Sequence, residues 1–377
     1  MTAPAYPAAR LVAGKVRAHF TQHIAAARAK GRDSLATEPD ERAIESLIDT
    51  AFWASLRREE GLTPRISLGY LPSDSGPSLT FRQSLPLHPG ALAKLAPAVE
   101  RPGIHLGVWP EGDALRVWGT TRTLPPYCFV IEVVASGLLV IKHRSEVFGK
   151  FVNVAVLEGD TVKFVDERSA TLPECPGLLR SLLGFGAASE RRESVNVLVL
   201  LAASMRAHGR GGALLVVPAG SATWRESIVD PILYGVEPPF TELAELMRQE
   251  AGASTDHEWQ EELRRVVDAV AGLTAVDGAT LVSMDYALIA FGAKIIRRKG
   301  RPPVDSVLVS EPIENSTQTT LPVAQLGGTR HMSAAQFVND QHDAVALVAS
   351  QDGKFTIFKW SERDQMVHAH RVEALLL

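Results

Sequence analysis

The chain has 377 residues, 46% hydrophobic and 22% charged, which is enough for sizeable cores and favours two or three domains. Its 43 acidic and 39 basic side chains nearly cancel, which argues against non-specific nucleic-acid binding, and no direct DNA binding is expected. The two cysteines, Cys128 and Cys175, match the spacing of no metal or redox motif. We therefore expect a reducing cytoplasm, with both thiols buried as small hydrophobic groups.

The amino-terminal stretch MTAPAYPAARLVAGKVRAHF contains Arg10, Lys15 and Arg17, which interrupt the apolar run that a signal peptide needs. Nowhere does the sequence reach the roughly 18 uninterrupted apolar residues of a membrane-spanning helix. These features predict a cytoplasmic protein with no membrane partner.

Residues 1–190 are predicted to form an amino-terminal α+β domain. Two helices are predicted within residues 8–60, from 8 to 31 and from about 40 to 60, and the apolar stripe of the first is Leu11, Val12, Val16, Phe20 and Ile24. Alternating segments separated by turn sequences such as Glu158-Gly159-Asp160 predict hairpins of an antiparallel sheet over residues 65–166. Residues 167–190 are expected to link this domain to the next.

Residues 191–377 alternate between helical and strand patterns, which predicts a mixed sheet flanked by helices. The segment GGALLVVPA has the pattern of a short buried strand. Residues 240–272 are predicted as one or two helices, for which the candidate caps are Thr241, Ser254 and Thr255. The segment LTAVDGATLVSMDYALIAFGAKI, residues 273–295, indicates two short strands joined by a turn. The fold class predicted for the whole chain is α+β.

Asp277 stands early in an apolar run, between Val276 and the small residues Gly278 and Ala279. A bare carboxylate at the start of a buried strand is costly unless something pairs with it or coordinates it. Either Asp277 accepts backbone hydrogen bonds in a turn, or its carboxylate serves a ligand. Both interpretations are open at this point.

The segment GGTRH, residues 327–331, is a second candidate for ligand binding. Its paired glycines can present backbone N–H groups to an anion just ahead of a predicted helix. Thr329 adds a hydroxyl, Arg330 a bidentate fork for phosphate, and His331 a further donor or a metal ligand. Taken alone, a glycine pair is equally typical of a turn, and the Arg-His pair of a helix surface.

The segments GGALLVV, DGA, GGTRHMSAA and AVALVAS, in this order, resemble the diadenylate cyclase domain, which condenses two ATP into cyclic di-AMP. The resemblance covers roughly residues 200–360. The long amino-terminal half and the altered motifs are more similar to the diverged family called DACNV, described as a probable sensor domain.

The resemblance implies a purine-nucleotide pocket that uses Mg²⁺ or Mn²⁺. In that pocket Asp277 would contact the metal and the ribose hydroxyl, and it would be catalytic in an active enzyme. The other nucleotide-binding residues that the resemblance implies are Gly212, Ala213 and Leu214 beside the base, Gly278 and Ala279 against the nucleotide, Gly328, Thr329, Arg330 and His331 at the phosphates, and Ser350.

Two positions depart from the cyclase motifs. Met332 stands where the family has a second arginine, and Gln351 stands where it usually has glutamate. One change removes a cation from the phosphate region and the other a carboxylate from the metal side. Metal-assisted phosphoryl transfer depends on both kinds of charge, so nucleotide binding is expected to survive these changes better than turnover.

Three functional hypotheses follow. The first is a sensor that binds a purine nucleotide, such as ATP or a cyclic di-AMP-like ligand, and relays its state to a partner or effector. The second is an active diadenylate cyclase, which needs two loaded domains face to face and therefore a homo-oligomer. The third is an interaction module in which the motifs are relics.

His368 and His370 in MVHAHRVE lie on one face of a predicted strand, a spacing that can bind metal. No third ligand is near them in the sequence, which favours a surface or interface pair. The basic segment IIRRKGRPP is interpreted as a solvated turn, with contact to a nucleotide or a partner as the alternative.

Overall fold

The computed structural model describes residues 5–59, 61–145, 151–166, 196–253 and 257–377. Contacts divide the chain into two compact units, Met1–Val165 with Leu377, and Asp166–Leu376. The predicted link over residues 167–190 and the predicted burial of Cys175 lie outside the described residues. No helix in the described ranges is both long enough and apolar enough to cross a membrane.

Over its described residues the first unit contains three helices and one eight-stranded sheet. Its helices are α1 (Pro7–Ala29), α2 (Glu41–Ser55) and α3 (Pro89–Val99). Its strands are β1 (Ile66–Tyr70), β2 (Ser78–Pro86), β3 (His105–Glu111), β4 (Ala114–Thr121), β5 (Phe129–Ala135), β6 (Leu138–Arg144), β7 (Phe151–Glu158) and β8 (Thr161–Phe164). The strand order in the sheet is β2-β4-β3-β1-β5-β6-β7-β8.

The antiparallel pairing predicted for this sheet is present between most neighbouring strands, but β1 and β3 pair in parallel. Parallel neighbours need a crossover connection, and α3, which the sequence reading missed, lies in the stretch that joins them. Both units therefore contain mixed sheets, and the α+β class is confirmed.

The core of the first unit lies where α1 and α2 pack on the sheet. Val12, Val16, Phe20 and Ile24 of the predicted stripe are buried as expected, whereas Leu11 is 80% exposed. The second helix begins at its cap Asp40, whose carboxylate accepts a 2.7 Å hydrogen bond from the Ala43 N–H, and ends earlier than predicted.

The second unit contains five helices and a nine-stranded sheet in the described ranges. Its helices are α4 (Val197–Ala207), α5 (Glu242–Ala253), α6 (His257–Leu273), α7 (Thr329–Asp340) and α8 (Glu373–Leu376). Its strands are β9 (Gly212–Val217), β10 (Tyr234–Phe240), β11 (Ala279–Ser283), β12 (Leu288–Ala293), β13 (Ser306–Ser310), β14 (Thr319–Pro322), β15 (Val345–Ala349), β16 (Phe355–Ser361) and β17 (Met366–Arg371). The strand order is β10-β12-β11-β9-β15-β16-β17-β13-β14.

The mixed sheet predicted for the second half is confirmed. The segment 273–295 provides the antiparallel pair β11 and β12, while β9 with β11 and β13 with β17 are parallel. Helix α7 lies on the sheet through Ala334, Phe337 and Val338. Thr241 precedes α5 and its hydroxyl donates to Glu245, whereas the other candidate caps, Ser254 and Thr255, lie outside the described residues.

Truncation of Phe20 tests the packing of α1. Phe20 is fully buried, so Phe20→Ala is expected to lower the free energy of unfolding of the first unit by about 3–5 kcal/mol. Leu11→Ala in the same helix should change it by less than about 0.5 kcal/mol, because Leu11 is exposed. Denaturant unfolding followed by circular dichroism measures both. Equal effects of the two variants would contradict the orientation of α1.

Candidate functional site

A cavity of about 720 Å³ lies at one end of four neighbouring inner strands of the nine-stranded sheet, β12, β11, β9 and β15. Its lining combines small apolar residues with four charged side chains. The residues that line it are Ala213, Asp277, Gly278, Ala279, Ala293, Lys294, Ile295, Gly328, Thr329, Arg330, His331, Ser333, Ala349, Ser350, Gln351 and Asp352.

Strand direction brings these residues together. The parallel strands β9 and β11 both begin at this end, at Gly212 and Ala279. Strands β15 and β12 run antiparallel to them and end here, at Ala349 and Ala293. Four segments that are distant in sequence therefore meet where the strands end.

Three alanines on neighbouring strands form the floor of the cavity. Ala279 is paired with Ala293, and the register between β11 and β9 sets Ala213 beside Ala279. Each is at most 3% exposed, and none projects more than a methyl group. This part of the lining is therefore apolar and carries no long side chain.

The amino-terminal end of α7 forms the opposite wall. Gly328 precedes the helix in an extended conformation and has no capping side chain. Its carbonyl accepts hydrogen bonds from the N–H groups of His331 and Met332, and the N–H groups of Thr329 and Arg330 have no acceptor within the helix. Free N–H groups and the helix dipole favour an anion at this position.

Two cations face this cavity. Arg330 is half-buried, and a methyl group at Gly211 would come within 3.2 Å of its Nη1 atom, so the glycine gives the guanidinium room. Lys294, at the carboxyl end of β12, is exposed. Within the described ranges neither side chain forms an ion pair, which leaves both charges available to an anionic ligand.

The structure corrects the premise about Asp277. Asp277 was expected at the start of a buried strand, but it lies before β11, which begins at Ala279, and its side chain is exposed. The burial cost that the sequence suggested therefore does not arise. Its neighbour Gly278 has a φ of +107°, and a methyl group there would lie 2.5 Å from the Gly292 carbonyl carbon. The glycine of this motif is thus required by the close approach of two backbone segments.

His331 is only 3% exposed, although it was predicted as a phosphate donor or metal ligand. Its ring packs against Gly327 and lies edge-on to Phe358 at 6.1 Å between centroids. Burial, opposed by the nearby Asp352 charge, lowers the pKa of His331 below its ordinary value, so the ring is neutral at pH 7. Its Nε2 atom has no hydrogen-bond partner among the described residues.

The turn between β15 and β16 supplies a carboxylate that the sequence reading missed. Ser350 Oγ donates to Asp352, Lys354 Nζ lies 3.1 Å from the same carboxylate, and these hydrogen bonds, that of Ser350 first, lower the pKa of Asp352. The neighbouring Gln351 amide donates to the Arg210 carbonyl oxygen at 3.4 Å. Asp352 is therefore ionised, and it is adjacent to Gln351, the position at which the cyclase motif usually has glutamate.

Most residues named from the sequence line one cavity. These are Ala213, Asp277, Gly278, Ala279, Gly328, Thr329, Arg330, His331 and Ser350. Lys294 and Asp352 also line the cavity, and neither was predicted as a site residue.

Three named positions do not line the cavity. Gly212 packs on Thr274, where a methyl group would meet the Thr274 carbonyl oxygen at 2.6 Å. Leu214 follows Ala213 along the strand and is fully buried on the opposite face. Met332 is 38% exposed outside the cavity, because successive helix residues point in different directions.

His368 and His370 are buried, at 4% and 5% exposure, so a surface pair is wrong. His370 Nδ1 is 2.8 Å from Ser310 Oγ, and burial lowers the pKa of His370 to about 3. Among the described residues no group of three or more His, Cys, Asp or Glu side chains is arranged to hold a metal ion.

Comparison with known proteins identifies one segment. Residues 33–122 match the family model described as probable sensor domain DACNV, and this segment lies in the first unit. The chain thus carries a DACNV-like domain, for which the family description suggests a sensor role. The motifs in residues 200–360, on which the resemblance to this family partly rests, lie outside the match.

No curated protein matches the chain. The likeness of residues 191–377 to diadenylate cyclases therefore remains a prediction that rests on the motifs themselves.

Substitution of Gly278 tests the backbone constraint beside Asp277. Gly278→Ala combines a positive φ with a backbone overlap, so it is expected to lower the free energy of unfolding of the second unit by at least about 2 kcal/mol. Gly272→Ala, six residues earlier in α6, meets no atom within 4 Å and should be neutral or slightly stabilising. Thermal unfolding compares them. A stable Gly278→Ala variant would contradict the close approach to Gly292.

Proposed function

We propose that the second unit binds a purine nucleotide and that the chain acts as a nucleotide sensor with impaired catalysis. The observation that carries the proposal is a single cavity with an apolar floor at one side and an anion-binding helix terminus at the other. A nucleotide has a matching arrangement, because its planar base and its charged phosphates lie on opposite sides of the ribose. The cavity volume of about 720 Å³ is within the usual range for small-molecule sites, roughly 300–1,000 Å³.

In this proposal the base lies on the alanine floor, and the phosphates lie at the start of α7. Arg330 offers two parallel hydrogen bonds to phosphate oxygens, and Lys294 adds a second positive charge. Asp277 accepts from a ribose hydroxyl or contributes to a metal site. The buried neutral His331 offers one ring nitrogen at the edge of the phosphate region.

The residues of the cavity fit a Mg²⁺ or Mn²⁺ ion that arrives with the nucleotide. Asp277 and Asp352 provide two carboxylates, and such ions commonly keep waters and phosphate oxygens as their other ligands. A metal held by these carboxylates would neutralise part of the charge of the phosphates. It needs no third protein ligand.

Gln351 is the residue that would impair catalysis. Its amide oxygen is neutral, so it holds a cation less well than the carboxylate that the cyclase motif has there. Met332 does not line the cavity, so the absence of an arginine at this position removes no charge from it. The sensor reading also gains support from the DACNV-like segment in the same chain.

Asp352 favours a second candidate, an active diadenylate cyclase. It lines the same cavity as Asp277, next to Gln351, and its lowered pKa keeps it ionised. Displaced by one residue, this carboxylate would replace the missing glutamate on the metal side. The reaction joins two nucleotides, so this candidate also requires two copies of the chain face to face.

Replacement of Arg330 tests the binding proposal. Arg330→Ala is expected to weaken ATP binding by about 1.5–3 kcal/mol, the range for a hydrogen bond to a charged group, as measured by calorimetry. Arg301→Ala removes an exposed arginine from the nearby basic loop and should leave the affinity unchanged. Equal affinity of wild type and a folded Arg330→Ala variant would contradict the phosphate site.

An incubation with ATP and Mn²⁺ separates the two candidates. We expect the wild-type protein to bind ATP and to form little or no cyclic di-AMP by chromatography, since loss of one charge-stabilising group typically costs a factor of about 10²–10³. Gln351→Glu should then raise synthesis. Steady multiple turnover that disappears in Asp277→Asn and in Asp352→Asn would overturn the sensor proposal in favour of the cyclase.

A further inference from the structure

The first unit has a cavity of its own, of about 700 Å³, and all of its lining residues fall within the segment that matches the sensor family. It is built on the edge strand β2 and its neighbour β4. The lining residues are Ser73, Thr80, Phe81, Arg82, Gln83, Ser84, Glu111, Arg116 and Trp118. None of them was predicted as a binding residue.

An irregular, bulged stretch of β2 forms one wall of this cavity. Thr80 pairs with Gly119 and Leu85 with Val117, so four residues of β2, from 81 to 84, face the single residue Trp118 of β4. Bulges of this kind re-aim side chains and are common at sheet edges and beside binding sites. The extra residues bring Arg82 and Ser84 to the cavity.

One wall of the cavity is held by a network of hydrogen bonds. Arg116 donates from Nε to Ser84 Oγ at 2.7 Å and from Nη2 to the Ser84 carbonyl oxygen at 2.6 Å. Glu111 accepts from Ser84 Oγ at 2.6 Å and lies 3.2 Å from Arg116 Nε. Trp118 is anchored behind this wall by a 2.7 Å hydrogen bond to the Leu71 carbonyl oxygen. The bulge is thereby fixed in a defined shape.

The charged side chains that line this cavity indicate which kind of ligand it would bind. Glu111 is already paired with Arg116, whereas Arg82 is exposed and forms no ion pair within the described ranges. The cavity is therefore positive, and its uncharged lining offers mainly hydroxyl and amide groups. A guanidinium surrounded by such groups suits a carboxylate or a phosphate on a small polar molecule.

We infer that this cavity is the input site of the DACNV-like segment and that its ligand is a small organic anion bearing phosphate or carboxylate. Arg82 binds the charged group, and the Ser84–Arg116–Glu111 network holds the bulged strand in the binding shape. The inference is independent of nucleotide binding in the second unit.

Calorimetric titration of the full chain with sodium phosphate and with citrate, at constant ionic strength, tests this site. We expect saturable binding of at least one of them to wild type and a loss of about tenfold or more in Arg82→Gln. Arg122→Gln removes an exposed arginine at the end of the same matched segment but outside the cavity, and should bind like wild type.

The same titration in the Arg330→Ala variant separates this cavity from the one in the second unit. Binding that survives Arg330→Ala and is lost in Arg82→Gln supports the inference even if ATP binding fails. No saturable binding of either anion, or equal affinity in wild type and Arg82→Gln, would overturn it. Binding of an acidic peptide alone, with neither small anion bound, would also overturn it and indicate strand addition at β2.

Discussion

The candidate nucleotide site depends on how two backbone segments pass each other at one end of the inner strands of the nine-stranded sheet. Gly278 and Gly292 both have positive φ, and a methyl group on Gly278 would come within 2.5 Å of the Gly292 carbonyl carbon. This close approach lets β11 and β12 begin and end at the same level, with Ala279 opposite Ala293. The floor of the cavity and the position of Asp277 both follow from that register.

The charge that the cavity offers to a ligand depends on which of its charged side chains already have partners. Asp352 is held ionised by Ser350 and Lys354, while Arg330 and Lys294 have no acidic partner in the described ranges. A half-buried, unpaired guanidinium near a helix amino terminus is unfavourable without an anion, because its hydration is reduced and no charge compensates it. Such an arrangement is more easily explained by ligand binding than by stability.

One cavity in each unit lies beside its sheet, and these two cavities differ in chemistry. The cavity of the second unit has an alanine floor and charges of both signs, which fits a ligand with a ring, phosphates and a metal. The cavity of the first unit is polar and positive, which fits a small anion. A protein that combines them would have two separate ligand inputs.

Local pattern in the sequence was enough for the elements whose periodicity is clear. The apolar stripe from Val12 to Ile24, the strand pair in residues 273–295 and the helix that follows the glycine pair of GGTRH are in the structure, because burial on one face imposes a period on the residues. The motifs also named most of the residues that line one cavity. The family match, by contrast, lies in a segment where no motif had been recognised.

Only the tertiary structure decided which strands are neighbours and which side chains face the cavity. The parallel pairing of β1 with β3 and the bulge opposite Trp118 depend on contacts between segments distant in sequence. The exposure of Asp277 and the outward direction of Met332 depend on where an element begins, and a shift of one residue changes the face. Sequence pattern specifies the face that each element buries, whereas long-range packing specifies what that face meets.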